Sequence, residues 1–67
     1  MDKYIELNTF LKVMKLATSG GEAKYIIRSG AVMVDGIVET RNRRKLLAGC
    51  VVSYGNKKYV VSDLIVR

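Results

Sequence analysis

Ser19-Gly20-Gly21-Glu22-Ala23-Lys24-Tyr25-Ile26-Ile27-Arg28-Ser29-Gly30 runs directly into Ala31-Val32-Met33-Val34-Asp35-Gly36, and the change of period between these two stretches decides the fold. In the first stretch Ala23, Ile26, Ile27 and Gly30 stand at i, i+3, i+4 and i+7, which is one buried face of a helix. Ser19 followed three residues later by Glu22 is a capping box, each side chain accepting from a backbone N–H at the helix start. Gly30 supplies the stop, because it tolerates the left-handed conformation that ends many helices. Lys24 and Arg28 stand four apart on another side, so two cations stack on one exposed strip with no acidic partner at i±4. Taken alone, such a pair reads as a solvated helix face.

In the second stretch the period falls to two. Val32 and Val34 alternate with Met33, Asp35-Gly36 follows, and Ile37 and Val38 resume the apolar run. Asp-Gly favours a two-residue hairpin loop because both positions must tolerate positive φ, so this segment predicts a β-hairpin.

Upstream, Leu7, Phe10, Leu11 and Met14 repeat the helical spacing and predict a first helix of about two to three turns. Asn8, Lys12 and Lys15 share its other side, and residues 1–6 form a short extended lead-in. Only a few residues separate the two helices, so they must pack as a corner or hairpin. Downstream, residues 40–45 (Thr-Arg-Asn-Arg-Arg-Lys) contain no apolar side chain and predict an exposed loop. Leu46 and Leu47 return the chain to the core, and Ala48-Gly49 turns it into a strand over residues 51–54. Gly55-Asn56 is a second two-residue turn signal, with a return strand over residues 57–61. Residues 62–67, with Leu64, Ile65 and Val66, read either as a last strand or as an exposed apolar tail.

Sixty-seven residues make one small domain, residues 1–67, that must rely on dense aliphatic packing. One cysteine and no histidine allow neither an internal disulfide nor a zinc site, which fits a reducing compartment. With acids near the start, and no apolar run approaching the roughly 20 residues of a membrane span, a cytosolic protein is expected.

The formal charge is +6, and its location is informative. In residues 1–39, Lys3, Lys12, Lys15, Lys24 and Arg28 are balanced by Asp2, Glu6, Glu22, Asp35 and Glu39. The whole excess lies in residues 40–62, where Arg41, Arg43, Arg44, Lys45, Lys57 and Lys58 occur without an acid between them. A solubility charge is better served by interspersed signs; a one-sided block points to a polyanion.

Enzymatic chemistry needs an activated nucleophile, a tuned acid and base, or a metal or cofactor. The six acids are scattered, and Cys50 beside Val51-Val52 reads as a buried, inert thiol, so a non-enzyme without cofactor or metal is expected. Ser-Gly-Gly-Glu-Ala-Lys lacks the phosphate-loop spacing and follows a helix instead of a strand. A DNA-reading helix-turn-helix would place base-reading side chains at the start of its second helix, where this chain has Ser-Gly-Gly-Glu. Double-stranded RNA is read mostly by shape, through phosphates and 2′-hydroxyls, which suits a bare glycine pair, two helix cations and a basic loop.

These pieces together resemble the RNA-binding domain named after ribosomal small-subunit protein S-four. The resemblance covers about residues 5–54: helix, short turn, helix, Gly-x-Val-x-Val-Asp-Gly-x-Val, a basic loop and Gly-x-Val-Val. Its most specific part is residues 30–36, where the family usually has Gly-x-Val-x-Val-Asn-Gly. Residues 19–24 and 39–46 are similar to the small free-standing bacterial subfamily. The resemblance implies an α+β fold, with two short N-terminal helices packed on a small bent antiparallel β-sheet in the αL-type RNA-binding motif. It implies RNA contacts at Thr18, Ser19, Gly20 and Gly21, at Lys24 and Arg28, and at Arg41, Asn42, Arg43, Arg44 and Lys45. Structured RNA, with ribosomal RNA or a ribosomal particle as the expected target, is the implied partner, in ribosome assembly or quality control. The chain departs from the family pattern with Glu6-Leu7-Asn8 for Arg-Leu-Asp, Ser19-Gly20 for Ser-Arg and Gly49-Cys50 for Gly-Asp, and its basic loop lacks proline. The alternative from another class is a protein-interaction adaptor, using the basic loop and the apolar residues 64–66 as its anchor.

Overall fold

The structure, a computed structural model, describes residues 3–67. After a two-residue strand β1 (Ile5–Glu6), helices α1 (Leu7–Val13) and α2 (Gly20–Arg28) precede strands β2 (Val32–Val34), β3 (Ile37–Val38), β4 (Lys45–Leu46), β5 (Val51–Tyr54) and β6 (Lys57–Val60). All pairings are antiparallel, and the strands fall into two small sheets: β3-β2-β5-β6, and β1 with β4. This is the α+β arrangement that the family resemblance implies, with the second helix and the hairpin where the period change predicts them. The division into two sheets is new, because Ile5 pairs with Leu46 and Glu6 with Lys45 across some forty residues of chain. The lead-in expected over residues 1–6 thus contains β1; Met1 and Asp2 lie outside the described residues.

The first helix buries Leu7, Phe10 and Leu11 but stops at Val13, and Met14 lies at its exposed cap instead of in the core. Its end is a Schellman closure: the Leu16 N–H donates to the Leu11 carbonyl (2.8 Å) and Lys15, at φ 61°, donates to Lys12 (3.0 Å). Because the chain turns there, Leu16 and Ala17 pack back against the core while Met14 does not.

The caps of α2 follow the sequence closely. Ser19 Oγ accepts from the Glu22 N–H (3.1 Å), and Glu22 Oε1 accepts from the N–H of Thr18 (2.7 Å), one residue before the usual partner. Gly30, at φ 82°, ends the helix, and Ala23, Ile26 and Ile27 are buried. In the following hairpin Asp35 and Gly36 take φ 51° and 84°, the two positive values of a type I′ turn. Asp35 also binds the turn to β5, donating its N–H to the Val51 carbonyl (2.8 Å) and accepting the Val51 N–H on Oδ1 (2.9 Å).

Val32, Val34 and Val52 face the helices and join Phe10, Leu11, Ile27 and Leu46 in one core. Leu47, expected beside Leu46, is half exposed instead: it follows β4, and in extended chain the residue after an inward-facing one points outward. Cys50 is half-buried against the core, less enclosed than its apolar neighbours suggest. The return strand ends at Val60, and Val61 turns into the core.

Residues 62–67 form neither a strand nor a free tail. Tyr4 and Arg67 exchange both backbone hydrogen bonds (3.1 and 3.0 Å), Val66 is buried, and of the apolar residues 64–66 only Leu64 stands out, at 91% exposed. An apolar anchor over residues 64–66 is therefore mostly spent inside the protein. No helix among the described residues is long and apolar enough to cross a membrane.

Candidate nucleic-acid interface

The basic loop between β3 and β4 is fastened at both ends. The Asn8 N–H donates to the Asn42 carbonyl (3.1 Å) and the Leu7 N–H to that of Arg44 (2.8 Å), so the first turn of α1 serves as the loop's backbone partner. These bonds satisfy helix-start donors that α1 leaves unpaired, since Glu6 at its cap offers no side-chain bond. Leu46, fully buried, anchors the loop's exit.

The acid-free charge block is not free of acids in space. Glu39, immediately before the loop, is buried with its carboxylate accepting from the Arg41 N–H (3.1 Å), Arg41 Nε (3.0 Å) and Nη2 (3.3 Å), and from Arg44 Nη1. The Arg41 guanidinium is the main cause that holds the Glu39 carboxyl down to about 2; burial opposes it, and Arg44 and the Arg41 N–H add to it. Arg43 pairs with Glu6 (3.0 Å), which the β1–β4 pairing brings alongside from 37 residues away. Lys45 stands 5.0 Å from the centre of the Tyr4 ring. Arg41, Arg43, Arg44 and Lys45 together line a shallow depression of about 580 Å³. The loop is thus a basic surface whose three arginines pair with Glu39 and Glu6, acids that the one-sided run of residues 40–45 does not itself contain. Within it, Asn42 Oδ1 is buried without a hydrogen-bond partner.

A second cluster lies at the turn before α2. Thr18, Ser19, Gly20 and Gly21 are exposed, as are Lys24 and Arg28 one and two turns further along α2 from Gly20. Gly20 has a neighbour that the sequence reading left out: a Cβ built on it would lie 3.9 Å from Lys12 Nζ. Lys12 sits on α1 one turn beyond Asn8, and residues four apart on a helix stack on one face.

A chain of contacts follows from these facts. The loop touches α1 at Asn8, α1 carries the strip one turn to Lys12, Lys12 meets α2 at Gly20, and α2 carries it on through Lys24 and Arg28. Among the described residues, Lys12, Lys24 and Arg28 have no carboxylate within ion-pair reach. Lys12 and Asn8 extend the candidate set; the clue was their shared helix face, on which both were placed without a role.

A family model described as S4 domain matches residues 1–62. The "Putative RNA-binding protein YbcJ" of Escherichia coli (strain K12) is 45% identical over 60 residues, covering 88% of this chain and 86% of that protein. The "Uncharacterized protein YbcJ" of Shigella flexneri is similar to the same extent. The helix pair, the Asp-Gly hairpin, the basic loop and these matches agree, and the chain belongs to the S4 domain family.

Proposed function

We propose that this chain is a non-enzymatic module that binds structured RNA through the strip running from the basic loop across Asn8 and Lys12 to α2. Membership of the S4 domain family and the likeness to a protein named for RNA binding support RNA as the partner. The observation that carries the reading is the place of Lys12 Nζ, 3.9 Å from where a Cβ on Gly20 would stand, because it sets a cation of α1, the helix whose first turn bonds the basic loop, beside the start of α2. Gly20 and Gly21 leave the backbone at the start of α2 open to close approach by a phosphate, with Lys12 Nζ near the Gly20 position and Lys24 and Arg28 exposed further along the same helix. The finer reading is a ribosomal RNA or ribosomal-particle target, in ribosome assembly or quality control, for a cytoplasmic single domain over residues 1–67. The lack of histidine and the scattered acids support a binding role without cofactor or metal.

Salt dependence tests the mechanism. Each phosphate contact contributes a log-log slope of about −0.7 to −0.9. If only Lys12, Lys24, Arg28 and Lys45 act, the slope is about −3; if Arg41, Arg43 and Arg44 leave their carboxylates for phosphates, it approaches −6. A slope shallower than about −1 rejects the phosphate strip. Nuclease treatment of a co-purified complex separates the adaptor reading, since a protein partner survives digestion.

A further inference from the structure

One side chain next to these cations is not used by phosphate binding. Tyr25 is 76% exposed on α2, beside the strip that Lys24 and Arg28 form. The other aromatic side chains are engaged: Phe10 is fully buried, Tyr54 and Tyr59 pack against the core, and Tyr4 lies beneath Lys45. Among the described residues, Lys45 over Tyr4 is the sole cation–π contact, so neither Lys24 nor Arg28 covers the Tyr25 ring. Long helical side chains lean toward the preceding turn, which for Tyr25 means Gly21 and Glu22. Gly21 has no side chain to shield a ring face, and Glu22 is turned back to the Thr18 N–H. Helix propensity does not account for the choice either, since tyrosine is a poorer helix former than the lysine beside it.

Single exposed apolar residues are common and need no role in themselves. This one, however, is a bare aromatic ring set among cations on a surface read as gripping a ribose-phosphate backbone. An unbroken A-form duplex keeps its bases stacked and offers such a ring nothing, whereas an unpaired base can splay out and stack on it. We propose that Tyr25 is the stacking platform for one unpaired base, so that the RNA bound here is a helix interrupted by a bulge or loop. This rests on the RNA-binding reading above and names the class of RNA within it.

The test uses the full chain and two labelled RNAs, a duplex and the same duplex with one bulged adenosine, measured by fluorescence anisotropy. Stacking on an aromatic side chain is worth roughly a 5- to 100-fold preference for the bulged RNA. Tyr25→Ala is expected to collapse the ratio of the two Kd values toward one, Tyr25→Phe to keep it, and Lys24→Ala to weaken both RNAs alike and leave the ratio in place. A wild-type ratio near one, or a ratio that survives Tyr25→Ala, overturns the stacking role while leaving phosphate binding standing. A wild-type chain that binds neither RNA overturns the RNA reading itself, and this inference with it.

Discussion

Replacing Glu39 by Gln removes the one buried carboxylate of the basic loop while preserving its shape. The Glu39 side chain is 9% exposed and receives Arg44, the Arg41 backbone N–H and the Arg41 guanidinium. Arg41 is 74% exposed, so its side-chain pair is screened by water and adds little. The Arg44 contact and the backbone N–H, both weakened when the charge is lost, together contribute about 1–2 kcal/mol. For a chain of this size that lowers Tm by about 5–15 °C. The pH dependence has a definite sign. Arg41 and Arg44 hold the folded carboxyl at about 2, below its ordinary 4.5, so its stabilisation is complete above about pH 5 and is lost as pH falls between 4.5 and 2. Urea unfolding of wild type and Glu39→Gln across that range should therefore show a stability gap at neutral pH that closes on acidification. No gap at neutral pH, or a gap that persists unchanged to about pH 2, would refute the reasoning.

Lys12→Ala should leave stability within about 0.5 kcal/mol, since the side chain is exposed, yet flatten the salt slope of RNA binding by about 0.7–0.9; an unchanged slope would remove Lys12 from the strip. Replacing both Arg43 and Arg44 by Ala should weaken binding to many RNA sequences alike, because phosphate contacts position without specifying; a sequence-dependent loss would point to base reading instead. Leu46→Ala, at a fully buried position that anchors the loop's exit, should cost about 2–5 kcal/mol in urea unfolding. Ending the chain at Val61 removes the Val66 side chain from the core and both Tyr4–Arg67 hydrogen bonds, so stability should fall by about 2–4 kcal/mol; unaltered unfolding would return the segment to the role of a free tail.

The sequence was most legible where structure is written locally. Ser19, Glu22 and Gly30 determine the ends of α2 through bonds within a few residues, and Asp35-Gly36 specifies its turn through φ alone. Patterns failed where a distant element decides. Nothing in Ile5-Glu6 announces a strand, because two residues carry no period and the partner Lys45-Leu46 lies far along the chain. Met14 and Leu47 fit apolar patterns but lie past the points where the backbone turns or alternates away from the core. The charge block was correctly located, yet its electrostatics depend on Glu39, one residue before the loop, and on Glu6, brought in by the β1–β4 pairing. Lys12 was visible as an exposed helix cation, but only the corner between the helices shows that it meets Gly20.

In the proposed binding mode the loop and the second helix act as one RNA-binding surface. Following backbone amide shifts by NMR during titration with a structured RNA tests this directly. Gly20, Gly21, Lys24 and Arg28 should move together with residues 41–45, along a single saturation curve. Shifts confined to one of the two groups, or centred on Met33, Val51 and Val60 on the sheet's outward face, would contradict it.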